Sequence, residues 1–137
     1  MTSLPLYNRT RRKRLTPEAS LQMAVVEHMR LNAMPGCWCM SVPNDGKRTP
    51  ATALHLKRMG MLPGAADLFI NIAGEAPHFL ELKAKGGKQS PEQIAFQELC
   101  SETGAWYYVA TGIDEALSIL MEWGALKPYV ARRRLAA

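Results

Sequence analysis

The sequence predicts an α/β domain built on a central mixed β-sheet flanked by helices. Three observations carry that prediction. Helix starts of the type Thr/Ser-Pro-Glu stand at Thr16 and Ser90, short apolar or alternating runs suited to strands lie between them, and strand, helix, strand and helix follow one another after residue 78. With 137 residues and 47% hydrophobic content, one domain with an ordinary core is the expectation.

Residues 1–15 hold Arg9, Arg11, Arg12, Lys13 and Arg14 among few large apolar residues and read as a mobile basic arm. Thr16 then offers a capping oxygen, Pro17 suits the first helical position, and Glu18 sits near the positive end of the helix dipole. The helix runs to about residue 32, with Leu21, Ala24, Val25, Met29 and then Leu31 or Ala33 as its apolar face, before Pro35-Gly36 ends it. Glu18 and Gln22, four apart, lie on one side of it.

Residues 37–42 suit a short strand, and Pro43-Asn44-Asp45-Gly46 suits a turn. Thr49-Pro50 again has the form of a cap, so 51–59 is expected to be a short helix stopped at Gly60. This stretch carries Lys47, Arg48, His55, Lys57 and Arg58 and is the expected substrate-facing insertion. Residues 65–72 and 78–84 read as two strands of a hairpin turning around Gly74 and Pro77. Lys85-Gly86-Gly87-Lys88-Gln89 is a basic loop, and Ser90-Pro91-Glu92-Gln93 opens a helix carrying Ile94, Phe96, Leu99 and Cys100 as far as Gly104. A buried strand over 106–110 and an amphipathic helix over 114–123 complete the domain, which spans 16–126 and leaves 127–137 as a basic tail.

Composition narrows the function. Lysine and arginine number 17 against 12 acidic residues, a net charge of +5 that favours polyanionic partners once a site supports it. No apolar run approaches the length of a membrane span, so membrane integration is not expected. Cys37, Cys39 and Cys100 form neither a disulfide framework nor a zinc spacing, which fits a reducing, cytoplasmic setting. Met23, Met29, Met34, Met59 and Met61 read as core filler, and His28 and His55 have no partner spacing that points to catalysis. Trp106, Tyr107 and Tyr108 read as strand and core packing.

The chemistry lies in the hairpin. Side chains alternate along a strand, so Asp67 shares a face with Phe69 and Asn71, and Glu81 and Lys83 share a face with Phe79. If the strands pair, Asp67 and Glu81 come within reach of one hard cation, for which magnesium or manganese is suited. Such a cation stabilises charge on a phosphate oxygen and acidifies a bound water, while Lys83 orients the water or shares the developing charge. That is the chemistry of phosphodiester hydrolysis. The bland alternative makes the three residues the solvated face of a hairpin.

Asp67 followed by Glu81-Leu82-Lys83 across a short hairpin resembles the signature of the PD-(D/E)xK nuclease superfamily. More narrowly the chain resembles the VRR-NUC domain, the virus-type replication-repair nuclease group. Glu18 with Gln22 in the first helix, Lys57-Arg58-Met59-Gly60 before the Asp strand, and Ser90-Pro91-Glu92-Gln93 carry the likeness, which covers about residues 16–123. Ala66 departs from it, since proline often stands before the Asp; that position shapes the backbone and binds no metal.

The resemblance implies an αβββαβ core and a Mg2+- or Mn2+-dependent DNA endonuclease. Asp67, Glu81, Lys83, Glu18 and Gln93 would be its catalytic residues. Asp67, Glu81, Glu18 and the Leu82 carbonyl would be its metal ligands. Lys57, Arg58, Lys85 and Lys88 flank these positions and are expected to neutralise phosphates. Relatives of this size resemble homodimeric enzymes of bacteria or phage that cut branched DNA such as four-way junctions. Here a dimer surface is expected from Leu117, Leu120, Met121, Trp123 and Leu126. The alternative to an enzyme is a non-catalytic DNA-binding module that retains the nuclease fold.

Overall fold

Three helices begin with the same chemistry. In a computed structural model that describes residues 14–43 and 48–128, the side-chain oxygens of Thr16, Thr49 and Ser90 accept from Ala19 N, Thr52 N and Gln93 N. A proline follows each cap, where its missing N–H costs nothing. These caps start α1 (Pro17–Asn32), α2 (Pro50–Arg58) and α3 (Pro91–Thr103). The strands are β1 (Trp38–Ser41), β2 (Leu68–Asn71), β3 (His78–Lys83) and β4 (Trp106–Thr111), and α4 (Ile113–Glu122) follows. The order is the expected αβββαβ core with α2 inserted between β1 and β2.

The sheet runs β1-β2-β3-β4 and is mixed. β1 and β2, then β2 and β3, pair antiparallel, with Leu68 opposite Leu80 and Phe69 opposite Phe79. β3 and β4 pair parallel, as a strand–helix–strand connection through α3 requires. One face carries Leu68, Ile70, Leu80, Leu82 and Ala110, packed on Val25 and Met29 of α1 and on Ala116, Leu117 and Leu120 of α4. The other face carries a smaller cluster in which Phe79 and Tyr107 meet Phe96 and Cys100 of α3. The sheet is thus sandwiched between α1 with α4 and α3.

This arrangement decides the ambiguous faces. The apolar stripe proposed as a dimer surface is occupied within the chain: Leu117, Leu120 and Leu126 are buried, and Met121 and Trp123 pack against the same core. A helical stripe has one period whether it meets its own sheet or a partner. Met23, Met34 and Met59 are exposed rather than core filler, as is Leu31; Met29 alone of the five methionines is fully buried. The strand read as buried, β4, is an edge strand on which Ala110 is fully buried and Trp106 is exposed, its ring stacked on His78 at 5.8 Å. The turn at 44–46, most of the basic arm and residues 129–137 of the tail lie outside the described residues.

Candidate active site

Asp67 immediately precedes β2, and Glu81 and Lys83 stand on β3. Pattern alone leaves them on a solvated face, but the structure does not. α3 crosses that face, so Glu81 is only 2% exposed and Lys83 8%. The solvated-hairpin reading is therefore excluded, because charged groups this buried are rare without partners.

The partners are specific. Asp67 Oδ2 accepts the backbone N–H of Leu82 at 2.8 Å, tying the residue before β2 to the C-terminal end of β3. Glu81 Oε1 accepts from Gln93 Nε2 at 2.9 Å and faces Lys83 Nζ at 3.8 Å. Glu81 Oε2 is buried and meets no donor among the described residues. Burial first, and then the neighbouring Asp67 carboxylate, push the Glu81 carboxyl up to about 8, with Lys83 opposing and Glu18 adding to the rise.

Gln93 is held from two sides. Its backbone N–H donates to Ser90 Oγ at 3.2 Å, and its Oε1 accepts from Ser90 N at 2.9 Å, which completes a capping box. With the oxygen committed to the cap, the amide NH2 is left to reach Glu81. The Ser-Pro-Glu-Gln sequence thus serves a helix start and a buried carboxylate at once. Gln93, expected at the site from the resemblance, reaches it through Glu81.

Asp67 is the half-exposed side of the pair, and two clefts meet there. One, of about 770 Å3, follows the outward face of α1 past Glu18 and Gln22 to Arg30. The second, of about 400 Å3, lies between α2 and the start of α3 and is lined by Arg48, Lys57 and Gln93 as well as Asp67. Glu18 therefore shares a cleft with Asp67 and acts electrostatically on Glu81. Among the described residues, however, no three His, Cys, Asp or Glu side chains converge as a ready metal cluster. Lys57 lines the second cleft. Arg58, Lys85 and Lys88 are exposed around it without lining either one.

Two positions in this site escape a reading by pattern. Arg48 was visible only as one cation in a basic stretch, yet it lines the second cleft and contacts Met61 Sδ at 2.8 Å. Gly64, at φ +74°, passes so close to the start of α3 that a Cβ there would lie 2.2 Å from Glu92 C and O and 2.6 Å from Gln93 N. The Pro63-Gly64 pair signals a turn in sequence, but not what the turn touches.

A hard divalent cation fits this arrangement. Two neighbouring carboxylates, one with an oxygen that meets no donor among the described residues, form a site that such an ion could complete. Asp67 and Glu81 could hold it.

No family model matches this sequence, and no curated protein does either. Solved structures do. One described as a VRR_NUC domain protein superposes with a TM-score of 0.66 at 24% identity, covering 81% of this chain and 90% of the other. The chain has the VRR-NUC fold. A second structure, described as a VRR_NUC domain, superposes with a TM-score of 0.55 at 20% identity over 79% of this chain and 97% of its own. The match takes in nearly the whole of each VRR-NUC structure, so what is shared is the fold as a whole. Among the described residues, no helix of this VRR-NUC fold is long and apolar enough to cross a membrane.

Proposed function

We propose that this protein is a metal-dependent nuclease that hydrolyses phosphodiester bonds in DNA. The observation that carries the reading is buried Glu81 beside half-exposed Asp67, with a carboxylate oxygen that meets no donor among the described residues on one side and an open cleft on the other. Burying one carboxylate against a second costs stability, and a scaffold does not need the pair for its fold. A VRR-NUC fold and a net charge of +5 support the same conclusion.

Asp67, Glu81 and the Leu82 carbonyl would hold a Mg2+ or Mn2+ ion, with Glu18 contributing from α1 through water. When bound, that ion supplies charge stabilisation at the phosphate and an acidified water. Gln93 fixes the rotation of the Glu81 carboxylate, so the oxygen facing Asp67 is presented in one orientation. Lys83, buried beside Glu81, places a positive charge where negative charge grows on the scissile phosphate. Arg48 and Lys57 neutralise the flanking backbone from one wall of the cleft, with Arg58, Lys85 and Lys88 further out.

The substrate we propose is branched DNA, because a domain this small reads phosphate position and shape rather than base sequence. Cutting two strands of a junction needs two sites, which a two-fold homodimer supplies. Its surface is not the α4 stripe, which the core occupies.

The test is a panel of linear, flapped and four-way DNA incubated with magnesium, manganese or chelator, with light scattering for the oligomer. Asp67→Ala and Glu81→Ala are expected to lose cleavage by orders of magnitude and to keep most of their DNA binding. Wild-type turnover by either variant would overturn the assignment, and binding without cleavage in every metal would make the protein a DNA-binding module.

A further inference from the structure

We infer that the apolar cavity beside the cleft takes one unstacked base of the DNA strand being cut, an inference that rests on the nuclease reading. The cavity has a volume of about 470 Å3 and lies against α2, with Phe79 and Phe96 in its lining and Val42, Leu56, Met59 and Leu62 around them. That is the size and character of a small-molecule site. Among the described residues the packing leaves it open: α2 buries none of its residues, and Leu62 remains 51% exposed.

Its position selects the occupant. Arg48, Met61 and Ala65 line both this cavity and the cleft that reaches Asp67, so the two spaces adjoin. Ala65 precedes Asp67 by two residues, at most about 7 Å along an extended chain. A strand with a phosphate at Asp67 therefore has a neighbouring base beside the cavity mouth. Aromatic rings and methionine sulfur suit the flat π-face of a base, and Arg48 at the boundary suits the phosphate that joins the two. An acyl chain or an apolar peptide side chain would use the lining but not the cation, nor the adjacency to a carboxylate pair.

The base must leave its stack to enter, and this costs least where it is already unpaired. The cavity thus gives selectivity for flaps and branches a physical origin. A perfect duplex offers the phosphate but not the free base.

The experiment is a set of flapped oligonucleotides, each lacking the base at one position, titrated by fluorescence anisotropy in chelator against wild type, Leu62→Trp and Leu56→Ala. Thermal melting checks that each variant is folded, and the same flaps are incubated separately with magnesium. Stacking on aromatic side chains sets the expected loss at one position in wild type at about 5- to 150-fold. Leu62→Trp, which fills the mouth from an exposed loop, should erase the difference between intact and base-less strands, and Leu56→Ala should reduce it. A flat scan in wild type, or a penalty that persists in both variants, overturns the inference. Cleavage with a flat scan overturns it while leaving the nuclease standing. A position-specific scan without cleavage in any divalent metal keeps the cavity and removes the nuclease. No binding at all removes both.

Discussion

Gly64→Ala is the substitution whose effect can be worked most directly from distances. Two costs combine. The backbone at φ +74° is strained for any residue with a Cβ, by about 1–2 kcal/mol. The new methyl would also overlap the α3 backbone: moving Glu92 C and O from 2.2 Å to the 3.4 Å edge of ordinary contact displaces that turn by about 1.2 Å. Overpacking of this kind adds on the order of 1–3 kcal/mol, giving a total loss of about 2–5 kcal/mol. Half of that displacement, directed away from β3, takes the 2.9 Å Gln93–Glu81 bond to the limit of hydrogen bonding near 3.5 Å. Gly74→Ala is the matched control, since it has φ +77° and nothing within 4 Å of the new methyl; it should show the backbone cost alone. Urea unfolding measures the stabilities, and single-turnover cleavage measures the site. The cleavage defects of Gly64→Ala and Gln93→Ala should be non-additive, because both act by removing one donor from Glu81. If Gly64→Ala is no less stable than Gly74→Ala, or its cleavage defect adds in full to that of Gln93→Ala, the argument from close approach is wrong.

Other outcomes follow from the same geometry. Lys83→Ala should slow single-turnover cleavage more than it weakens DNA binding, and a normal rate at saturating protein with weak affinity would reduce Lys83 to a phosphate anchor. Glu81 has a raised folded-state pKa, so the folded protein holds more protons than the unfolded chain between the ordinary 4.5 and about 8. Without metal, stability should therefore fall as pH rises through that window, and Glu81→Gln should flatten the fall; equal pH slopes in the two proteins would refute this. Addition of magnesium near pH 7 should release protons, read by calorimetry in buffers of different ionisation enthalpy, and Glu81→Gln should abolish the release. Lys57→Ala should reduce the slope of log affinity against log salt by about 0.9 on duplex DNA, and an unchanged slope would remove Lys57 from the phosphate contacts.

Much of this was legible in the sequence because it rests on local rules. Thr16-Pro17, Thr49-Pro50 and Ser90-Pro91 announce caps that the helices use. Period-two alternation correctly grouped Glu81 and Lys83 with Phe79, and Asp67 with Phe69. What alternation does not carry is which face a distant helix covers. Phe79 gives a hint, as an aromatic on the supposedly wet face, and its ring sits edge-on to Phe96 of α3 at 5.1 Å. The same limit explains α4, where Leu117 and Leu120 would look alike under their own sheet or under a partner. Gly64 and Arg48 were illegible for another reason: their roles depend on what lies opposite them in space, near α3 and the cleft.

The shared amide of Gln93 has a kinetic consequence. Helix ends open far more often than helix centres, and the first turn of α3 is such an end. Here the side chain that closes the turn onto Ser90 also holds Glu81, so fraying and release of the carboxylate are one event rather than two. The lifetime of the ordered site is then bounded by the lifetime of a single helical turn. Amide hydrogen exchange at Gln93, whose N–H is held by Ser90 Oγ, reports the opening of both together, and its rate where exchange outpaces reclosing.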